Sequence, residues 1–265
     1  MADESYEGVD LDEVREIQRF DPDYRRTHIG ASEWPAICGL SPFRAPIDVW
    51  AAKVGGEDGN VSSEAIDLGR DLESGILANL VRRLGVPLVG DRQVTHEHPT
   101  QRHLCATPDG ELVDGDLAEI KVSGWFGRPA SLVDWGEPGT DEVPEHVMGQ
   151  VQAAMHVTRA ARLASLSGLD GPQRCHVGAF LPRRGVCVYT VVYDEDLARM
   201  LEERVETFWR HVQANEPPPP DASEGYIKHL ARRYPTPSKA QWLEGDAMAD
   251  ALVLDYRAAK AAAAI

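Results

Sequence analysis

Apolar residues recur at helical spacing most clearly between residues 63 and 84. Ile66, Ile76, Leu77, Leu80, Val81 and Leu84 fall on one stripe, and Gly85 and Pro87 close it, which predicts a helix over that span. Glu73 lies on the same stripe, where a carboxylate is costly unless paired or bound to a cation. Gly69, one turn earlier, permits a close approach. Short apolar runs then predict strands at 87–90, 93–96, 104–107, 111–113 and 117–122, with Asp114-Gly115 as the turn before the last. A Gly- and Pro-rich stretch from 124 to 144 leads into a predicted helix over 144–158. That helix carries Val147, Val151, Ala154, Met155 and Thr158 on one face, with Gln150 among them. No pattern organises residues 159–173, which read as an insertion. Two strands, 176–181 and 186–193, precede a helix over 194–215. Upstream, two short helices are expected within 32–54 and another near 11–19. Beyond the stiff proline run 217–220, helical patterns at 224–233 and 238–264 read as an appendage.

The composition is that of a globular protein: 265 residues, 43% apolar and 26% charged, which excludes a chain disordered throughout. No apolar run approaches the ~20 residues a membrane helix needs. The acidic start Met1-Ala2-Asp3-Glu4 is unlike a secretory signal. The expectation is a cytoplasmic protein without membrane contact. Cys38, Cys105, Cys175 and Cys187 form no Cys-x-x-Cys pair, so small buried thiols are expected rather than a zinc or iron–sulfur site.

The formal net charge of −16 argues against a general electrostatic binder of nucleic acid. Residues 1–24 hold nine acidic and two basic residues, a local −7, so the other 241 residues carry −9. Basic clusters remain at Arg25-Arg26-His28, Arg82-Arg83, Arg183-Arg184 and Arg232-Arg233. A metal site needs carboxylates in any case, and its cation then recruits anions.

The candidate chemistry lies between Pro108-Asp109 and Glu119-Ile120-Lys121, an acid followed ten residues later by Glu-x-Lys. Alternate strand residues share a face, so Glu119 and Lys121 point together. A three-residue loop at 113–115 sets Asp109 opposite Glu119, whereas a two-residue loop offsets it by one. Two close carboxylates repel unless a proton or cation intervenes, and oxygen donors suit Mg²⁺ or Mn²⁺. Glu73 adds a third carboxylate, Lys121 can hold water or offset developing charge, and Gln150 can orient the same water. The spacing by itself is a weak signal.

An ordered set of motifs resembles the YqaJ-like viral recombinase nucleases, relatives of the phage lambda exonuclease in the PD-(D/E)xK superfamily. It comprises His28-Ile29-Gly30-Ala31-Ser32-Glu33, Cys38-Gly39-Leu40-Ser41-Pro42-Phe43-Arg44, Ile47-Asp48-Val49-Trp50 and Lys53-Val54-Gly55. Gly69-Arg70-Asp71-Leu72-Glu73, Ala106-Thr107-Pro108-Asp109-Gly110, Glu119-Ile120-Lys121, Gln150-Val151-Gln152 with Met155, and Phe208-Trp209 follow. The match covers about 25–220, leaving an acidic lead-in 1–24 and a helical extension 221–265. The resemblance implies an α/β fold, a central mixed sheet flanked by helices. It also implies a Mg²⁺-dependent exonuclease that degrades double-stranded DNA 5′→3′ and leaves 3′ tails for a single-strand annealing protein. Glu73, Asp109, Glu119, Lys121 and Gln150 would be catalytic. Asp109, Glu119, Glu73 and the Ile120 carbonyl would hold the metal. Arg25, Ser32 and Thr107 would bind the 5′-phosphate, Thr107 standing where the family has serine. Arg26 and Arg44 are further DNA-contact candidates. Homo-oligomers, including trimers, and a phage or prophage origin in a bacterial host are also implied.

Competing readings remain at this stage: an endonuclease or defence-related nuclease, or a non-catalytic module binding DNA ends or a partner. Glu73 can pair with Arg70, Ser32 can cap a helix, Gln150 can bond backbone, and Thr107 can be a plain strand residue. Arg25 and Arg26 can simply offset the acidic lead-in. His96 and His98 share a strand face, which reads as exposed rather than as a zinc site lacking further ligands. Trp34, Trp50 and Phe43 read as core rather than as base-stacking groups.

Overall fold

The computed structural model describes residues 22–55, 64–90, 93–123, 135–165, 170–221 and 224–233. The helix expected near 11–19 and the one at 238–264 lie outside them. The chain divides into two compact units, 1–229 and 230–265, and the elements below belong to the first, the last helix running across the boundary.

Helix α1 (Pro22–Thr27) leads into β1 (Ile29–Gly30), a 3₁₀ turn at 31–33, α2 (Trp34–Ile37), α3 (Pro46–Lys53) and α4 (Glu64–Leu84). Then come β2 (His96–Glu97), β3 (Leu104–Ala106), β4 (Gly110–Glu111), β5 (Leu117–Val122), α5 (Glu145–Ala164), β6 (Arg174–Leu181), β7 (Gly185–Val192), α6 (Glu195–Ala214) and α7 (Glu224–Arg233). Helix α4 matches its expected span. Gly85 follows it at φ 69°, the left-handed turn that ends a helix most easily at glycine.

The sheet is mixed but in two parts. One has the order β1-β3-β2 and the other β4-β5-β6-β7, with β5 and β6 parallel and the other neighbours of that sheet antiparallel. Two expected strands shrink: 87–90 contributes a single bridge, Leu88 to Leu112, and the strand expected at 93–96 begins only at His96. Helix α5 runs to Ala164, six residues past expectation, so much of the supposed insertion extends a helix. Its last turn is held by Arg162, which bonds the Gly115 carbonyl at 2.6 Å and Glu111 at 2.5 Å. The Ala, Arg and Leu residues of 159–164 are themselves strong helix formers, and Arg162 adds partners 47 and 51 residues away.

Strand alternation sorts the core. Ala118 and Ile120 of β5 face α4, joining Ile76 and Leu80. Leu117 faces the other way with Cys175, Val177, Ala179 and Leu181, against Val147, Val151 and Met155 of α5. All four cysteines are free and buried, as expected. Trp34 is fully buried and Trp50 packs against the core, but Phe43 is 73% exposed, with a T-shaped contact to the His146 ring, correcting its core reading. It sits in the turn between α2 and α3, beyond the reach of the interior. No helix among the described residues is long and apolar enough to cross a membrane.

Candidate active site

The loop register decides how the acids meet. Gly110 pairs with Ala118 and Glu111 with Leu117, and the Leu112 N–H donates to the Asp116 carbonyl at 2.9 Å. The loop is therefore the three-residue 113–115, with Gly115 at φ 92°, and Asp109 stands across from Glu119. Asp109 is anchored by the Ile120 N–H, which donates to its carboxylate at 2.7 Å. Glu119 is buried and accepts from Lys121 Nζ at 2.5 Å and from Gln150 Nε2 at 2.6 Å. Gln150 thus spends its amide on a carboxylate rather than on backbone.

Helix α4 delivers Glu73 from the other side. Arg70 pairs with Asp67 at 3.8 Å, and among the described residues no ion pair joins it to Glu73, the competing reading. Gln93 instead donates to Glu73 at 2.7 Å and to Asp109 at 3.1 Å. Burial, and next the charge of Glu119, push the Asp109 carboxyl well above its ordinary range. Burial works against the Lys121 charge, but Glu119 and Asp109 outweigh it and raise its pKa. Carboxylates crowded this closely favour a cation among them.

One cleft of about 410 Å³ gathers Arg25, Ser32, Glu73, Thr107, Asp109, Glu119, Ile120, Lys121 and Gln150. Ser32 does not cap the turn it sits in. Gly30 precedes that turn, and its N–H donates to Glu33 at 3.1 Å, leaving Ser32 exposed on the cleft wall. The Thr107 hydroxyl bonds that of Thr95 at 2.9 Å, so it is more than a strand residue. Arg26 pairs with Asp23 on the surface, and neither it nor Arg44 lines the cleft. Side chains without an assigned role also line it, Tyr24, Glu33, Lys53 and Thr95 among them. Lys53 was legible only as part of a motif, and its role is tertiary. Its buried ammonium donates to the carbonyls of Arg25 and His28, each at 2.6 Å, and to Glu33 at 2.7 Å. It thereby ties down the segment that carries Arg25 and Ser32. The four cationic side chains of the lining, Arg25, Lys53, Arg70 and Lys121, balance four acids, Glu33, Glu73, Asp109 and Glu119. A divalent cation would make this lining net positive within an acidic protein.

The histidines of 96–98 separate. His96 bonds Glu111 at 2.7 Å, while His98 joins His156 and Glu202, all part-buried, which corrects the exposed-face reading. Their ligand-capable atoms lie within 4.8 Å of one another. Nδ1 of His98 accepts the Gln101 N–H at 3.1 Å, so the neutral ring carries its proton on Nε2. That nitrogen is a donor, while His156 pairs with Glu202 at 3.3 Å and stacks with His98.

A mixed sheet flanked by helices, with paired acids and Glu-x-Lys on its adjoining strands, defines the PD-(D/E)xK fold. The model of the YqaJ-like viral recombinase domain matches residues 22–161, just over half the chain, and the protein belongs to that family. The uncharacterized protein YqaJ of Bacillus subtilis (strain 168) is 24% identical over 215 residues, covering 79% of this chain. The chain spans 61% of that relative's length. Among solved structures, the alkaline exonuclease LHK-Exo from Laribacter hongkongensis shares the fold, with TM-score 0.52 and 19% identity over 79% of this chain and 94% of its own. LHK-Exo in complex with dAMP gives TM-score 0.53 and 18% identity, covering 80% and 95%.

Proposed function

We propose that the protein is a metal-dependent nuclease of the lambda-exonuclease type. In this reading it degrades linear double-stranded DNA 5′→3′ and leaves 3′ tails for an annealing partner. The observation that carries the reading is the convergence of Glu73, Asp109, Glu119, Lys121 and Gln150 in one cleft with Arg25, Ser32 and Thr107. Residues 25–220 would form the nuclease domain, with self-association as a trimer and the annealing partner as further parts of the proposal.

The donor set fits a hard cation, because it is all oxygen and its carboxylates are crowded. Asp109 and Glu119 would hold Mg²⁺, with Glu73 and the Ile120 carbonyl completing the protein ligands. Such an ion would supply Lewis-acid polarisation of the phosphodiester. The chain's own groups do the rest. Lys121, an ammonium held by Glu119, would donate to the attacking water or to a phosphate oxygen and offset developing charge. Gln150 would fix the Glu119 carboxylate so that the water meets a rigid acceptor. Arg25, Ser32 and Thr107 would grip a terminal phosphate and set the scissile bond against the acids.

The test is incubation with 5′-labelled linear duplex, 3′-labelled duplex and covalently closed circles, each with Mg²⁺, with EDTA and with Lys121→Ala. Metal-dependent release of the 5′ label from linear DNA, with circles intact and the variant silent, is expected. Cut circles would replace the exonuclease reading with an endonuclease. No cleavage with Mg²⁺ or Mn²⁺ would leave a binding module.

A further inference from the structure

Gln93 comes from the segment that leads into β2, and no motif of the sequence marks it. Its carboxamide stands between two acids that arrive from different elements. Nε2 donates to Glu73 on α4 at 2.7 Å and to Asp109 before β4 at 3.1 Å. Carboxylates only accept, so an amide placed between two of them must present its NH₂ group to both. Oε1 is consequently turned away, buried and without a partner among the described residues. A buried acceptor left unsatisfied is destabilising, so the arrangement is held at a cost.

Arg70 is engaged with Asp67, and among the described residues Gln93 is the side chain that bonds the Glu73 carboxylate. Asp109 is already fixed by the Ile120 N–H, and Glu119 by Lys121 and Gln150. Glu73 is therefore the one acid of the three whose placement depends on a neighbouring loop. Two residues on, Thr95 bonds Thr107, so the 93–95 segment braces both the carboxylates and the hydroxyl wall of the cleft.

We propose that Gln93 is a positioning residue for the metal site, clamping the Glu73 carboxylate to Asp109 so that both acids are preset for one divalent cation. The inference rests on the nuclease reading above. Gln93 touches neither substrate nor metal in this role. It removes the conformational freedom that Glu73 would otherwise lose on binding the ion, and it orients the lone pairs the ion needs. Removing such an outer-shell partner from a metal site costs 10–100-fold in metal affinity, as an order of magnitude.

The test is direct titration of the full-length, DNA-free protein with Mn²⁺, by calorimetry, for wild type, Asp109→Asn and Gln93→Met. Methionine keeps the length and removes the donor. Expected is a Kd about 10–100-fold weaker for Gln93→Met, with the thermal midpoint of the metal-free protein near wild type and kcat on linear duplex restored at saturating Mn²⁺. A Kd within about threefold of wild type overturns the clamp. So does a kcat that stays low at saturating metal, which would place Gln93 in the chemistry. If Gln93→Met does not fold, Gln93→Asn carries the same test, since its shorter arm cannot span both carboxylates. The nuclease reading fails separately, when wild type binds no Mn²⁺ or Asp109→Asn binds it unchanged.

Discussion

Lys53 is the most exacting test of the cleft's construction. Its side chain is 3% exposed, its carboxylate partner Glu33 is 10% exposed, and the two lie 2.7 Å apart. All three ammonium hydrogens are used, on Glu33 and on the carbonyls of Arg25 and His28. Lys53→Met fills similar space and removes the charge. It leaves a buried carboxylate without its cation, a change that costs about 3–5 kcal/mol. For a domain of this size each kcal/mol lowers the midpoint by roughly 2–4 °C, so the melt should fall by roughly 6–20 °C. Glu33→Gln on that background removes the stranded charge while keeping an acceptor for the Gly30 N–H. The double variant should recover more than half of the loss. The assay is a double-mutant cycle from urea unfolding, monitored by tryptophan fluorescence because Trp34 is buried beside Glu33. A Lys53→Met cost below about 1 kcal/mol, or additive effects of the two changes, would refute the reasoning, because a saturated buried pair cannot be broken that cheaply.

Glu111 should govern stability in acid. Burial alone would raise its pKa, but His96 and Arg162 bring it down to about 2 from an ordinary 4.5. Its folded value lies below its unfolded one, so the stabilisation is present above about pH 4.5 and is lost as the pH falls towards 2. In Glu111→Gln the pH dependence of unfolding across that window should flatten, and an unchanged slope would remove Glu111 as its source. If Arg25 grips a terminal phosphate as proposed, Arg25→Ala should cut activity on 5′-phosphorylated relative to 5′-hydroxyl ends by about 10–100-fold, the worth of a charged hydrogen bond. Equal loss on both substrates would assign Arg25 to general DNA binding. Leu80→Ala empties a fully buried position between α4 and the sheet and should cost about 2–5 kcal/mol in chemical denaturation. A loss under ~1 kcal/mol would mean that α4 is not held by this contact.

The sequence by itself determined the long α4, the β5 strand, the late hairpin and the order of motifs, because apolar periodicity and turn residues are local signals. Four buried thiols followed from the same reasoning. Asp109, Glu119 and Lys121 were legible because a strand puts alternate residues on one face whatever surrounds it. Their register was not, since a loop of two or three residues around Asp114-Gly115 satisfies the same sequence. Packing of Glu111 against His96 and Arg162 accompanies the three-residue form. Arg162, bonding Glu111 and the Gly115 carbonyl, also holds the last turn of α5, which ends at Ala164. Tertiary structure alone decided the partners of Glu73, Lys53 and Gln93. Each partner lies 16 to 28 residues away in sequence, and polar pairing at that distance leaves no periodic trace. Hydrophobic patterning records which face of an element is buried. It does not record which carboxylate a buried amide or ammonium will meet there, and in this protein those meetings build the cleft.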